Sequence, residues 1–190
     1  MGNLLTKFCN PLSHEKKFVL LVGAEGSGKT TLLYSFKLKP GWEQNEINPT
    51  CGYNYEECNY NDVEFGVFDT PGKESLFPVV KHIYKNIKIS GLVFVFKPSR
   101  KPSDYLEAKR KLKYLASEPT LNDCPIVVVA NLASEIESQF RDEEFLKQAL
   151  GFQNLNHLDD SYKKLFVINA KFAPKESEKV FKALSNMLED

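Results

Sequence analysis

The chain has 190 residues, of which 42% are hydrophobic and 26% charged, the balance of one globular domain with its own core. Its 25 basic and 25 acidic residues cancel, which argues against a nucleic-acid-binding protein with a basic surface. It has no apolar run long enough to span a bilayer and no secretory signal at its N-terminus. Its cysteines form no CxxC pair, so we expect reduced thiols in the cytoplasm.

The predicted elements alternate between strands and helices. A buried strand over 17–23 is followed by a helix over 28–38, which ends before Pro40. After a polar loop over 39–51, two strands form a hairpin around an NYND turn. The hairpin and the elements after it are strands over 52–60 and 63–69, a helix over 74–87, a strand over 91–96, a helix over 103–117 with Ser103 as its N-cap, a strand over 125–131, a helix over 142–150, a strand over 165–170 and a helix over 175–188.

This order of elements predicts an α/β fold. Strands that alternate with helices form a parallel sheet with helices on both faces, and the hairpin adds one antiparallel edge strand to make six strands. Ligands bind such sheets beyond the carboxyl ends of the strands. The residues at or just past those ends are Gly23, Asp69, Lys97, Asn131 and Ala170.

A phosphate-binding motif lies between the first strand and the first helix. The segment from Gly23 to Thr30, GAEGSGKT, matches G-x-x-x-x-G-K-[ST] in full and in the structural context that the motif requires. Gly26 and Gly28 allow backbone N–H groups to surround an anion, and the helix N-terminus adds positive potential. Lys29 supplies a charge to the β- and γ-phosphates, and Thr30 offers a hydroxyl to Mg²⁺. The motif predicts a P-loop NTPase domain that binds a nucleoside polyphosphate, without naming the base.

A second motif, DTPG, begins at the end of a predicted strand. Asp69 is the expected carboxylate on the magnesium side of the site. The backbone N–H of Gly72 could meet a terminal phosphate, and Thr50 is a candidate second hydroxyl ligand of the metal.

These motifs and several longer segments resemble the Arf and Arf-like family of small GTPases, within the Ras-like P-loop superfamily. The resemblance covers nearly the whole chain and is carried by MGN, GKTTLLYSFKL, NPTCGYNYEE, VEFGVFDTPGKESLFPVVKHIYKN, GLVFVF, AKRKLKYLASEPTL and VVVAN. The short extension before the first strand and the pattern P-T-x-G-[FY]-N-x-E, from Pro49 to Glu56, are typical of Arf proteins. We therefore divide the chain into an N-terminal amphipathic segment, 1–16, and a nucleotide-binding domain, 17–190.

The resemblance implies a switch that binds GTP or GDP with Mg²⁺. By matching position, Thr30 and Thr50 ligate the metal, Asp69 supports it through water, and Gly72 contacts the γ-phosphate. The hairpin slides in register between the two nucleotide states, and residues 47–87 bind protein effectors and regulators. The expected nucleotide contacts are Gly23, Ala24, Glu25, Gly26, Ser27, Gly28, Lys29, Thr30, Thr31, Thr50, Asp69, Gly72, Asn131, Leu132, Ser134, Ala170 and Lys171.

The position after DTPG departs from the family. The family has glutamine there to orient the attacking water, whereas this chain has Lys73 next to Gly72. Lysine donates hydrogen bonds and accepts none, so Lys73 cannot hold the water in the same way. We expect slow or absent GTP hydrolysis. Glu25 replaces the usual aspartate of the loop, and Lys97 stands where an acidic residue is common.

The guanine-reading motif N-K-x-D also departs, because it is NLAS here, from Asn131 to Ser134. Leu132 replaces the lysine that packs over the base. Ser134 replaces the aspartate that accepts two hydrogen bonds from guanine, and each charged bond is worth about 1.5–3 kcal/mol. The N–H of Ala170, in NAK, could still meet the guanine carbonyl. Guanine remains the expected base, with reduced selectivity.

The N-terminal sequence MGNLLT matches the N-myristoylation pattern at Gly2. Leu4, Leu5, Phe8 and Leu12 fall on one helical stripe. We expect a cytoplasmic protein that binds a membrane surface through its myristate and this amphipathic helix.

Two functions remain open from the sequence. The first is a switch in membrane, vesicle or ciliary transport with weak hydrolysis. The second is a degenerate pseudo-GTPase that holds nucleotide as a folding ligand within a larger assembly. The two switch segments and the lack of a lid-like arginine cluster argue against a P-loop kinase.

Overall fold

The computed structural model describes residues 15–37, 52–132, 142–155, 159–171, 173 and 175–189. These residues contain one six-stranded sheet with the strand order β2-β3-β1-β4-β5-β6. The strands are β1 (Lys17–Gly23), β2 (Asn54–Tyr60), β3 (Val63–Asp69), β4 (Gly91–Phe96), β5 (Ile126–Asn131) and β6 (Lys163–Ile168). The α-helices are α1 (Lys29–Lys37), α2 (Phe77–Asn86), α3 (Pro102–Ala116), α4 (Glu143–Leu150) and α5 (Lys175–Glu189).

The sheet is parallel apart from one edge strand. Strand β1 pairs in parallel with β3 and β4, and β5 lies between β4 and β6, again in parallel. Strand β2 runs antiparallel to β3 at the edge of the sheet. This confirms the predicted six-stranded sheet with one antiparallel edge strand. In this register Leu21 is opposite Asp69, which places the ends of β1 and β3 side by side.

Helices cover both faces of the sheet, as the sequence predicts. Because successive strand residues point to opposite faces, Leu20 and Leu21 of β1 belong to different halves of the core. One half packs against α2, α3 and α4, and Leu112 and Leu146 are buried in it. The other half packs against α1 and α5, and Phe181 is buried there.

Several element boundaries differ from the predictions. Helix α3 begins at Pro102 and its N-cap is Lys101, so the prediction that Ser103 is the N-cap is wrong. Proline suits the first helical position because its missing N–H would be unpaired there anyway. Strand β6 spans 163–168 rather than 165–170, since Lys163 and Lys164 also pair with β5. The predicted helix over 74–87 is a 3₁₀ turn, Glu74–Leu76, followed by α2.

The predicted amphipathic segment lies outside the described residues as far as residue 14. Within the described part of the chain, no helix has the length and apolar character needed to cross a membrane.

The aromatic contacts of α5 generate a stability prediction. Phe181 is fully buried, stacks on Phe36 with ring centroids 3.9 Å apart and meets the edge of Phe65 at 6.0 Å. We expect Phe181→Ala to lower the free energy of unfolding by about 3–5 kcal/mol, because it removes this contact area and leaves a cavity. Urea unfolding measures the loss. Phe145→Ala is the control, since Phe145 is 48% exposed, and an equal loss in both variants would contradict the prediction.

Candidate functional site

The loop between β1 and α1 has a backbone that requires glycine. Gly26 and Gly28 have φ angles of 70° and 88°, in the left-handed region that other residues rarely adopt. A Cβ atom on Gly28 would lie 2.0 Å from Nδ2 of Asn131. The motif glycines therefore set both the turn of the loop and its close approach to the end of β5.

Lys29 is buried in the first turn of α1. Its side-chain amine donates hydrogen bonds to the carbonyl oxygens of Gly23, at 3.1 Å, and Ala24, at 2.9 Å. Burial lowers the pKa of Lys29 to about 8, although the charge of Asp69 opposes this shift. An anion in the loop would favour the charged form of the amine, so this geometry fits a polyphosphate.

Thr30 and Asp69 meet beside the loop. The Thr30 hydroxyl donates a hydrogen bond of 2.6 Å to Oδ2 of Asp69, whose side chain is fully buried. The other carboxylate oxygen, Oδ1, is also buried and has no hydrogen-bond partner among the described residues. Burial raises the pKa of Asp69, while the bond from Thr30 and the charge of Lys29 lower it. A buried carboxylate oxygen without a donor fits a cation.

The few oxygen donors here fit Mg²⁺, which does not need a ligand set made of protein alone. Magnesium is usually bound through one or two carboxylates together with waters and substrate phosphates. The described residues contain no cluster of three or more histidine, cysteine, aspartate or glutamate side chains that could hold a metal. Thr30 and Asp69 would hold the ion on the protein side, and phosphates and waters would complete its coordination.

The DTPG segment is attached to the sheet and packs on the loop. Both the N–H and the hydroxyl of Thr70 donate to the carbonyl oxygen of Leu21, at 3.2 and 2.8 Å. A Cβ atom on Gly72 would lie 2.3 Å from the backbone nitrogen of Glu25. Glycine at position 72 thus allows this segment to contact the phosphate-binding loop.

The next residue, Lys73, pairs with the loop. Its amine is 3.7 Å from Oε1 of Glu25, and each side chain is about half exposed. The resemblance to the family does not predict a contact between these two residues. Their opposite charges, in the two segments expected to meet at the γ-phosphate, were the signal that could have predicted this pair.

Asn131 joins three segments of the site. Its amide nitrogen donates to the carbonyl oxygen of Ser27 at 3.0 Å, and its amide oxygen accepts from the N–H of Ala170 at 3.1 Å. The carbonyl oxygen of Ala170 accepts from the hydroxyl of Ser35 in α1 at 2.6 Å. The sequence predicts that the Ala170 N–H meets the guanine carbonyl, and in the structure this N–H is donated to Asn131.

The remaining predicted contacts are either described with their own surroundings or lie outside the described residues. Leu132 is only 1% exposed, and its N–H bonds to the carbonyl oxygen of Ile168, so it presents little apolar surface to a base. Thr31 is half-buried in the first turn of α1, and Lys171 is exposed. The other three predicted residues lie outside the described part of the chain: Gly2, Thr50 and Ser134.

Lys97 faces a different space. It is exposed just past the end of β4, as the sequence predicts for a strand-end cation. With Arg100 and Lys101 it lines a cavity of about 480 Å³, which borders the phosphate-binding loop at Glu25 and is lined on another side by α3. Neither Lys29 nor Thr30 lines this cavity.

The family is shown by a match that covers nearly the whole sequence. A model of the ADP-ribosylation factor family matches residues 4–188. The chain belongs to this family. A solved structure of an Arf-like protein, the Arl6 BBS3 small GTPase from Trypanosoma brucei with the bound nucleotide analogue GppNp, superimposes with a TM-score of 0.76. It is 21% identical, and the match covers 92% of this chain and 98% of that one, a likeness in fold.

The bonds of Asn131 generate a second prediction. Asn131→Ala leaves the carbonyl of Ser27 and the N–H of Ala170 without their partner in a buried place, where each unpaired group costs about 1–3 kcal/mol. We expect a lower free energy of unfolding in urea and weaker nucleotide binding. Asn86→Ala is the matched control, because Asn86 makes its bonds to His82 on an exposed surface. Equal stability of the two variants would contradict the assigned role.

Proposed function

We propose that this Arf-family chain is a GTP-binding switch in membrane, vesicle or ciliary transport, with weak hydrolysis. The observation that carries the proposal is the contact between Thr30 and Asp69. It leaves the other carboxylate oxygen buried with no hydrogen-bond partner among the described residues, in electrostatic interaction with the buried amine of Lys29. A cation and a polyphosphate would satisfy these groups together. The GppNp bound to the Trypanosoma brucei protein supports the same ligand class.

Each part of the loop would have a separate task with bound nucleotide. The backbone N–H groups and Lys29 would hold the phosphates, while Thr30 and Asp69 would orient the metal. When bound, Mg²⁺ would supply positive charge that offsets the negative charge of the phosphates. Gly72 lies against the loop, so its N–H would respond to the presence of a terminal phosphate.

Guanine is the proposed base, on the strength of the family. Ser134 lacks the carboxylate that reads guanine, and the N–H of Ala170 is already donated to Asn131. Both features lower the selectivity for guanine over adenine. We therefore propose a modest preference for GDP over ADP, and equal affinities would contradict the guanine assignment.

Aromatic side chains offer a surface for effectors and regulators within residues 47–87. Tyr53 and Tyr55 of the β2 region are 51% and 39% exposed. Their ring centroids lie 5.8 and 5.1 Å from that of Phe68, next to Asp69. Exposed aromatic groups are common anchors of protein interfaces, and these would move with the segment that holds the metal ligand.

Membrane attachment remains a proposal from the sequence. Myristate at Gly2 alone binds membranes weakly, so the apolar stripe that follows it would contribute the second attachment. The protein would then be cytoplasmic and peripherally membrane-associated. Mass spectrometry of the protein from its own cells tests this proposal, and retained Met1 would contradict it.

A pseudo-GTPase that holds nucleotide as a structural subunit is the second candidate. Two internal contacts favour it: Lys73 with Glu25, and the Ala170 N–H with Asn131. Both occupy groups that a regulated GTPase would present to its nucleotide. A switch releases nucleotide when magnesium is chelated or an exchange factor is added, whereas a structural ligand is retained.

The buried amine of Lys29 generates a prediction on nucleotide binding. We expect GppNp with Mg²⁺ to raise the melting temperature of the wild-type protein and to have no effect on Lys29→Met, which lacks the charge. Without nucleotide, Lys29→Met should be the more stable at pH 7. The amine is charged in the folded state only below its pKa of about 8, against 10.5 in the unfolded chain, so its cost is largest there.

That advantage should shrink as the pH rises from 8 towards 10, where the unfolded chain also begins to lose the proton. Thermal unfolding at a series of pH values measures it. A nucleotide-induced rise of equal size in both proteins would overturn the proposed function.

The position of Lys73 generates a prediction on hydrolysis. We expect Lys73→Gln to increase the single-turnover rate of GTP hydrolysis at least ~10-fold, because glutamine can both donate to and accept from the attacking water. Lys73→Ala is the control, since it removes the lysine without supplying an acceptor. Rapid hydrolysis by the wild type that is lost in Lys73→Ala would show that lysine itself is catalytic here.

A further inference from the structure

The ion pair between Lys73 and Glu25 connects the two segments that would meet at a terminal phosphate. Lys73 follows Gly72, whose backbone contacts the loop, and Glu25 is part of that loop. The separation of 3.7 Å and the half-exposed side chains make this a weak pair, because water screens both charges. A group of higher negative charge in the same place would therefore replace the glutamate easily.

Two other cations near the loop, Lys29 and Lys111, already have partners. Lys29 is buried and donates to the carbonyls of Gly23 and Ala24. Nζ of Lys111 in α3 is 3.8 Å from Oε2 of Glu74 and lies over the ring of Phe77. Lys73 is the cation that the DTPG segment itself brings to the loop.

We propose that Lys73 selects the triphosphate, and that Glu25 is the internal anion that keeps Lys73 at the loop when no γ-phosphate is present. The inference rests on the proposed function. A lysine ammonium has three donors, and a terminal phosphate offers more charge and more acceptor oxygens than a carboxylate. The phosphate would also repel Glu25, so Lys73 would exchange one anion for the other.

This exchange makes Lys73 a specificity-determining residue rather than a catalytic one. A glutamine at this position would orient water for attack, whereas a lysine would stabilise the ground state of the bound triphosphate. The affinity for triphosphate relative to diphosphate should therefore depend on both members of the pair, and in opposite directions. Lys73 increases the preference for triphosphate, and Glu25 decreases it because it competes for the amine and repels the phosphate.

The test uses the full chain with Mg²⁺ and measures the dissociation constants of GppNp, which resists hydrolysis, and GDP. We expect Lys73→Ala to raise the dissociation constant of GppNp about tenfold and that of GDP less than about twofold. Glu25→Gln should lower the dissociation constant of GppNp severalfold and leave that of GDP unchanged. Lys73→Arg should keep the preference for GppNp because it keeps the charge. Lys88→Ala, which removes an exposed lysine in the loop after α2, should change neither constant.

The outcomes separate this inference from the proposed function. If wild-type protein binds both nucleotides and Lys73→Ala leaves their ratio unchanged, the inference alone is overturned. If Glu25→Gln weakens GppNp binding as much as Lys73→Ala does, the ion pair only holds the two segments together, and the inference is again overturned. Wild-type protein that binds neither nucleotide overturns the proposed function and this inference with it. Circular dichroism of each variant checks that it is folded.

Discussion

The close contact between the Asn131 amide and the loop after β1 determines the geometry of the whole site. The amide fits there because Gly28 has no side chain, and it bonds to Ser27 on one side and Ala170 on the other. These bonds hold the ends of β1 and β5 and the segment after β6 in one position. The first turn of α1 therefore begins at a defined place, and Lys29 and Thr30 with it.

The charged groups around that loop lack full electrostatic compensation among the described residues. Lys29 is buried against carbonyl oxygens, and one oxygen of Asp69 is buried with no donor among the residues that the structure describes. Burial favours the neutral form of both groups: it lowers the pKa of Lys29 and raises the pKa of Asp69. A magnesium–polyphosphate pair would reverse both shifts. The free energy of folding and the affinity for nucleotide are therefore coupled at this site.

The departures from the Arf pattern occur in contacts rather than as isolated substitutions. Lys73, the departure at the hydrolytic position, pairs with Glu25, which keeps the acidic character that the family has at that place in the phosphate-binding loop. The Ala170 N–H is paired with Asn131, the first residue of the NLAS segment in which Ser134 replaces the family's aspartate. Under the proposed function, the first contact would act on the preference for triphosphate over diphosphate and the second on the preference for the base.

The sequence by itself determined the fold class, the family and the phosphate-binding loop, since these depend on local periodicity and on a motif of adjacent residues. It did not determine the start of α3 or the bounds of β6, because capping and strand pairing depend on neighbours in space. The sequence predicts a shared site for Thr30 and Asp69 and for Asn131 and Ala170, but only the tertiary structure shows the direct contacts of these pairs and of Lys73 with Glu25. These pairs are far apart in sequence, and their distances depend on how the sheet and its helices pack.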